Sequence, residues 1–140
     1  RITYLTDNED FKAYCKDNAW WLEDYALFMA IKASYDNQAG KLALELRLRN
    51  DASLTEKRNE LSDDVNYHKF LQYYVWKQWY ALKDYANSKG VEIIGDIPIY
   101  VAYDSSDVWG QPELFQLDPE VKTTAVAGVP PDGFSADGHA

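Results

Sequence analysis

Apolar residues recur at three- and four-residue steps along the N-terminal part of the chain, a spacing that predicts amphipathic helices. In the first helix this spacing relates Phe11 to Tyr14 and Cys15. Thr6 and Glu9 stand at the spacing of a capping box, in which each side chain satisfies a free N–H group at the helix start. We therefore expect a helix to begin close to Thr6.

A second helix is predicted from the apolar residues between positions 21 and 32, and residues 35–40 (YDNQAG) end it with turn chemistry. Residues 41–49 (KLALELRLR) carry two conflicting signals. Leucine at every second position favours a half-exposed strand, whereas Leu, Glu, Lys and Arg all have good helix propensity. Both alternatives stay open for this segment.

A long third helix is predicted from Ser62, interpreted as its N-cap, to Gly90, the residue type expected just past a helix end. Asp63 and Asp64 in its first turn oppose the helix dipole favourably. The length of roughly 40 Å is typical of a helix that flanks a barrel. One broad apolar face is expected to contain Tyr67, Phe70, Leu71, Tyr74, Val75, Gln78, Leu82, Tyr85 and Ala86.

Directly after this helix, residues 91–97 read VEIIGDI, a continuous apolar run that predicts a parallel strand covered on both sides. Pro98 has no N–H group to donate to a sheet, so the strand should end near Asp96. A helix, a glycine and a buried strand make up half of a βαβ unit. A single parallel strand has no sheet of its own, and we expect the chain to be part of something larger.

The composition changes this picture little. The length of 140 residues corresponds to about one domain. A net charge of −9 argues against binding to nucleic acid or to an anionic membrane surface, and no apolar run approaches the length of a membrane span. The chain starts at Arg1 and stops at Ala140, and both ends are expected to be cut from a longer protein.

Several kinds of chemistry have no candidate residues. Cys15 cannot form an internal disulfide and is expected to be an inert, partly buried thiol, as in a protein of a reducing compartment. His68 and His139 have no partners at metal-ligand spacing. The sequence contains no glycine-rich phosphate loop and no Ser–His–Asp pattern.

In parallel α/β folds ligands meet the carboxyl ends of the strands, which is where Asp96 stands. Acidic and aromatic side chains follow it, and this combination suits sugars because carboxylates accept bonds from hydroxyl groups and rings stack on pyranoses. The residues are Tyr100, Tyr103, Asp104, Asp107 and Trp109. The alternative is structural: Asp104 and Asp107 cap a helix, and Trp109 packs in a core.

Four motifs resemble those of the 4-α-glucanotransferases, glycoside hydrolase family 77, and occur in that family's order. A helix motif, WLEDYALF, occupies residues 21–28, and the long helix carries FLQYY at 70–74 and LKDYAN at 82–87. The segment 95–102 (GDIPIYVA) is similar to the family's first conserved region. The segment 126–132 (VAGVPPD), stiffened by two prolines, is similar to its substrate-overhanging loop.

The resemblance implies an α/β fold: a partial (β/α)8 TIM barrel with a helix-rich insertion, the insertion being residues 1–61 and the barrel helix, strand and loop residues 62–140. It implies a cytoplasmic enzyme without metal or organic cofactor. The implied substrates are maltooligosaccharides and α-1,4-glucans, transferred by a retaining double displacement. A hydrolase of the α-amylase clan and a non-catalytic helical interaction module are the alternatives.

By resemblance, none of the catalytic carboxylates lies within this chain. The substrate-binding residues implied are Asp96, near the cleavage site, and Asp132 and Phe134, in the loop that borders the acceptor groove. Trp109 is expected to support the turn of the first conserved region. Gly133 departs from the family, which often has a tyrosine there. Residues 38–46 also depart from it, because they lack the expected tryptophan and proline.

Overall fold

The computed structural model describes residues 8–35, 42–98, 100–125, 128–131, 133 and 136. The chain divides into two compact units, Arg1–Ile97 and Pro98–Ala140. The first unit contains five helices among its described residues: α1 (Glu9–Asp17), α2 (Ala19–Ser34), α3 (Leu44–Arg47), α4 (Asp51–Glu60) and α5 (Ser62–Ser88). The second contains a short helix, α6 (Ser106–Gly110), and one 3-10 turn (Pro112–Leu114).

Helix α1 confirms the first predicted helix, with a different cap. Asn8 is the N-cap, and its side-chain oxygen accepts a 2.8 Å hydrogen bond from the backbone N–H of Asp10. Thr6 lies outside the described residues. At the other end, the Asn18 side chain donates to the carbonyl of Tyr14 and accepts from the indole N–H of Trp21. Asn18 therefore joins the end of α1 to the start of α2.

Helix α2 is the central element of the first unit and packs against α5, α1 and α4. The predicted helix is confirmed, but its buried residues cover more of its surface than the expected stripe: Leu22, Ala26, Leu27, Phe28, Ala30 and Ile31. A helix that is apolar on most sides is a buried helix. The two alanines leave room for neighbouring helices to approach closely, which apolar periodicity alone does not indicate.

The ambiguous segment after residue 41 is helical. Leu42 and Leu46 are buried while Leu44 and Leu48 are exposed, which is the four-residue spacing of a helix and not the alternation of a strand. Helix α3 is short because Arg49 adopts a positive φ of 55°. The guanidinium of Arg49 binds both carboxylate oxygens of Asp24, at 2.9 and 3.0 Å, and so ties this turn to α2.

Helix α5 confirms the long predicted helix and its end near Gly90, which has a φ of 73°. The expected cap is wrong: Ser62 is already helical, and the cap residue Leu61 makes no side-chain cap bond. Asp63 and Asp64 lie in the first turn as expected. Only Val65 and Tyr73 are buried, so much of the predicted apolar face is exposed.

The strand expected at residues 91–96 is not formed. Residues 91–98 carry no strand and are exposed, with Ile94 at 96% and Ile97 at 83% exposure. A strand requires a neighbour for its backbone hydrogen bonds, and the described part of the chain offers none. The β-pairing found there includes an isolated antiparallel bridge between Leu117 and Thr123. The prediction from the apolar run was therefore wrong for this chain by itself.

The division at residue 61 into an insertion and a barrel stays a prediction. Helices α2 and α4, which precede that position, pack against α5, which follows it, within the first compact unit. Within the described ranges, no helix is both long enough and apolar enough to cross a membrane.

Candidate functional site

Asp96 is the first of the predicted site residues and lies in the exposed segment after α5. Its carboxylate oxygen Oδ1 accepts a 2.8 Å hydrogen bond from the backbone N–H of Ile97, the next residue. This local bond fixes the side chain against its own backbone. Pro98 follows and restricts the backbone conformation of Ile97. The carboxylate therefore retains acceptor capacity on an exposed segment.

In the second unit, two tyrosines hold separate stretches of the chain together. The hydroxyl of Tyr100 donates to the carbonyl of Gly128 at 3.4 Å, and the hydroxyl of Tyr103 donates to the carbonyl of Val121. The sequence suggested both tyrosines as ring surfaces for a ligand. Their hydroxyl groups add a structural role, because each bond closes a loop of roughly twenty residues or more.

Trp109 lies in α6 and is buried, with 6% of its surface exposed. Ser105 caps this helix by accepting a hydrogen bond from the N–H of Val108, so Asp104 is not the cap, and Asp107 lies in the first turn. Trp109 is therefore buried, as the structural alternative expects. The burial of Trp109 is consistent with the expectation that it supports the turn of the first conserved region. Direct contact between Trp109 and a substrate stays a prediction.

A turn around Asp118 follows the 3-10 turn in the second unit. The Asp118 carboxylate accepts from the N–H groups of Glu120 and Lys122 at 2.8 and 2.9 Å. Val121 has a φ of 59°, a conformation that β-branched residues rarely adopt. The bond from Tyr103 to its carbonyl helps to stabilise that conformation. No sequence signal marked Val121, because the constraint comes from a tyrosine 18 residues earlier.

Together these loops line a cavity of about 580 Å³ within the second unit. Its walls are mostly apolar and include Tyr100, Tyr103, Val108, Leu114 and Phe115. The size falls within the roughly 300–1,000 Å³ typical of small-molecule sites. The sequence did not indicate this cavity, because Leu114 and Phe115 belong to the 3-10 turn and its end, which were not predicted.

The overhanging loop is only partly described. Asp132 and Phe134, the two predicted acceptor-groove residues, lie outside the described residues. Among the described residues, no group lies within 4 Å of a Cβ atom added to Gly133, and the φ of Gly133 is outside the left-handed region. The backbone at Gly133 therefore does not require glycine.

Two further side chains with shifted pKa values, Cys15 and His68, lie in the first unit. Burial raises the pKa of the Cys15 thiol. The charge of Lys69 lowers this pKa by a smaller amount and the charge of Glu23 raises it, so that the thiolate is disfavoured overall. Burial also lowers the pKa of His68, an effect partly offset by Asp64. No group of three or more potential metal ligands occurs in the described ranges.

The described residues thus form a helical unit followed by a loop region with acidic and aromatic side chains. Comparison with known families gives the particular class. A family model described as 4-alpha-glucanotransferase, glycoside hydrolase family 77, matches residues 3–140. The chain belongs to this family.

Individual relatives agree with the family assignment. The chain is 47% identical over 138 residues to a 4-alpha-glucanotransferase of Clostridium butyricum, a match that covers 95% of this chain and 28% of that protein. It is 47% identical over 134 residues to a 4-alpha-glucanotransferase of Thermus thermophilus, covering 95% and 27%. The chain thus spans about a quarter of the length of these curated relatives.

A solved structure, an amylomaltase from Streptococcus agalactiae in complex with acarbose, is similar in fold as well as in sequence. The TM-score is 0.84 and the identity 44%, over 91% of this chain and 26% of that one. The helical arrangement described above is therefore similar to that of a segment of this amylomaltase. The same match supports the predicted fold class in part, because the barrel itself is not shown.

Proposed function

We propose that this chain is a segment of a 4-α-glucanotransferase that transfers α-1,4-glucan segments between maltooligosaccharides. The observation that carries the proposal is the family match over residues 3–140. The segment with Asp96 and the loop with Gly133 supply the substrate-facing residues of that activity. The location proposed is the cytoplasm, and the reaction needs no metal or organic cofactor.

In the full-length protein, we infer a (β/α)8 barrel in which residues 91–96 form one strand. The exposure of Ile94 and Ile97 supports this, because pairing of this apolar segment within a buried sheet would remove both side chains from water. The C-terminal half of α5 supports it too. Trp79, Leu82 and Tyr85 are about half exposed or more, and a helix with so much apolar surface needs a covering layer.

The reaction is a double displacement with retention at the anomeric carbon. A carboxylate attacks that carbon and a second carboxyl group protonates the departing glycosidic oxygen, which leaves a glycosyl–enzyme ester. The second group then removes the proton from the 4-hydroxyl of an acceptor glucan, whose oxygen displaces the enzyme carboxylate. Both groups are assigned to parts of the protein outside this chain.

The residues within this chain bind and position the substrate. Asp96 is proposed to accept hydrogen bonds from sugar hydroxyls near the cleaved bond, and its exposed carboxylate leaves acceptor sites for them. Asp132 and Phe134 are proposed to border the acceptor groove. Trp109 is proposed to act indirectly, because its buried ring supports α6 and the loop before it.

Incubation of the full-length protein with maltotriose tests the proposal. We expect glucose, maltopentaose and longer oligosaccharides, because a maltosyl unit moved to a second maltotriose leaves glucose behind. Glucose and maltose alone would instead indicate the hydrolase alternative. Unchanged maltotriose at high protein concentration would contradict both enzymatic functions and favour a helical interaction module.

A further inference from the structure

A second cavity, of about 370 Å³, lies between α1 and α5 in the first unit. Its residues differ from those of the Asp96 segment and of the overhanging loop. Helix α1 contributes Asp10, Tyr14 and Asp17, and helix α5 contributes Tyr73, Trp76 and Lys77. The proposed function assigns nothing to this groove.

One wall of the groove is a partly open aromatic ring. Trp76 is 44% exposed, while Tyr14 and Tyr73 beside it are buried. The Trp76 ring lies 5.4 Å from that of Tyr14 and stacks on that of Tyr73, 6.5 Å away at an interplanar angle of 20°. The two buried tyrosines therefore restrict the indole, so a ligand that stacks on it loses little further side-chain entropy.

The rim of the groove is polar. Asp10 and Asp17 are seven residues apart in α1, so two helical turns place them on the same side of the helix. Ala13 lies between them and its small side chain leaves the space open. On the facing helix, the ammonium group of Lys77 lies 5.3 Å from the centroid of the Tyr73 ring.

These groups select the charge of the ligand. Two carboxylates disfavour an anion, and the ammonium group of Lys77 opposes a multivalent cation. A neutral molecule rich in hydroxyl groups can donate to the carboxylates, accept from the ammonium and place an apolar ring face on Trp76. A pyranose has these properties, and the cavity has room for only a short stretch of a sugar chain.

From this geometry we propose that the groove between α1 and α5 binds one or two glucose units of an α-1,4-glucan. The choice of glucan rests on the proposed function, while the groove itself defines a neutral sugar. A long glucan held at this position would stay attached between successive reactions. The groove would then affect affinity for polymers and not the conversion of short oligosaccharides.

Electrophoresis of the full-length protein in native gels with and without amylose tests this site. Trp76→Ala should weaken the apparent affinity for amylose roughly three- to tenfold, the range expected for a lost aromatic contact. Trp20→Ala is the matched control, because Trp20 is 82% exposed and does not line the groove. Unchanged amylose retention in a folded Trp76→Ala protein would overturn the proposal.

A second variant guards against loss of folding at Trp76. The double substitution Asp10→Asn and Asp17→Asn keeps the shape of the two exposed side chains but removes the charges that strengthen hydrogen bonds from sugar hydroxyls. It should also weaken amylose retention, and retention equal to wild type would contradict the site. Maltotriose conversion is measured in parallel: no conversion by the wild type refutes the proposed function, whereas the amylose comparison alone decides on the groove.

Discussion

Asp96 is the residue on which the proposed substrate binding depends most. Asp96→Ala in the full-length protein should lower turnover of maltotriose about tenfold or more, because hydrogen bonds to sugar hydroxyls that tighten in the transition state contribute several kcal/mol. Glu92→Ala, an exposed acidic residue of the same segment, is the control. Turnover of Asp96→Ala close to that of wild type would show that Asp96 has only a structural role.

At Gly133 a substitution is expected to increase the affinity for the acceptor. Its φ lies outside the left-handed region, and no atom of the described residues would lie within 4 Å of an added Cβ, so we expect a side chain to be sterically acceptable there. Gly133→Tyr should lower the KM for the acceptor several-fold by placing a ring against a glucose unit, with kcat little changed. Initial rates at varied acceptor concentration measure this. A raised KM together with a lower Tm would mean that the loop does require glycine.

His68 makes stability depend on pH. Its folded pKa lies below the ordinary value of 6.5, because burial disfavours the charged ring. The unfolded chain therefore binds more protons in this range, and the free energy of unfolding should fall as the pH drops through 6.5 towards the folded pKa. Denaturant unfolding of the full-length protein between pH 7.5 and about 5 measures the slope, and His68→Gln should reduce it. An identical slope in both proteins would contradict the role of His68.

At the scale of elements, α2 is the packing centre of the first unit. Leu22 is fully buried and belongs to an aromatic cluster with Phe11, Tyr14 and Tyr73. Leu22→Ala should lower the free energy of unfolding by about 2–5 kcal/mol, the cost of lost burial and of the cavity left behind. Chemical denaturation measures the loss, and Leu44→Ala, at a half-exposed leucine, should cost much less. Equal losses would contradict this packing.

The helices could be predicted where the physical signal was local. Periodicity and turn residues were sufficient for α1, α2 and α5, because these helices depend on spacing and on their own ends. Residues 42–49 were ambiguous because leucine recurs at both two- and four-residue steps, and only burial of Leu42 and Leu46 against other helices decides between them. Residues 91–96 were predicted wrongly because a strand depends on neighbours that the local sequence cannot supply.

For the candidate site, the sequence suggested Asp96 because it follows an apolar run, and the structure shows that Asp96 is exposed. Its role in substrate binding stays a prediction. The sequence suggested Trp109 as a ring for stacking, yet only 6% of its surface is exposed. The groove between α1 and α5 gave no signal, since Asp10 and Trp76 are far apart in sequence and meet only through helix packing.

At the scale of the whole molecule, the chain spans about a quarter of the length of its 4-α-glucanotransferase relatives, and part of its apolar surface is exposed. The proposed barrel would cover the exposed isoleucines after α5 together with Trp79, Leu82 and Tyr85 of that helix. The proposed activity is that of the full-length protein. To it, the residues described above would contribute helices, the segment with Asp96 and a loop.

The most direct test of transfer by the full-length protein is a balance of reducing ends during reaction with maltotriose. Transfer breaks one α-1,4 bond and forms another, so the number of reducing ends stays constant while glucose and longer products accumulate. Hydrolysis adds one reducing end for each bond cleaved. We predict a constant number of reducing ends throughout product formation. A rise in step with glucose release, or no products at all, would contradict the assignment as a 4-α-glucanotransferase.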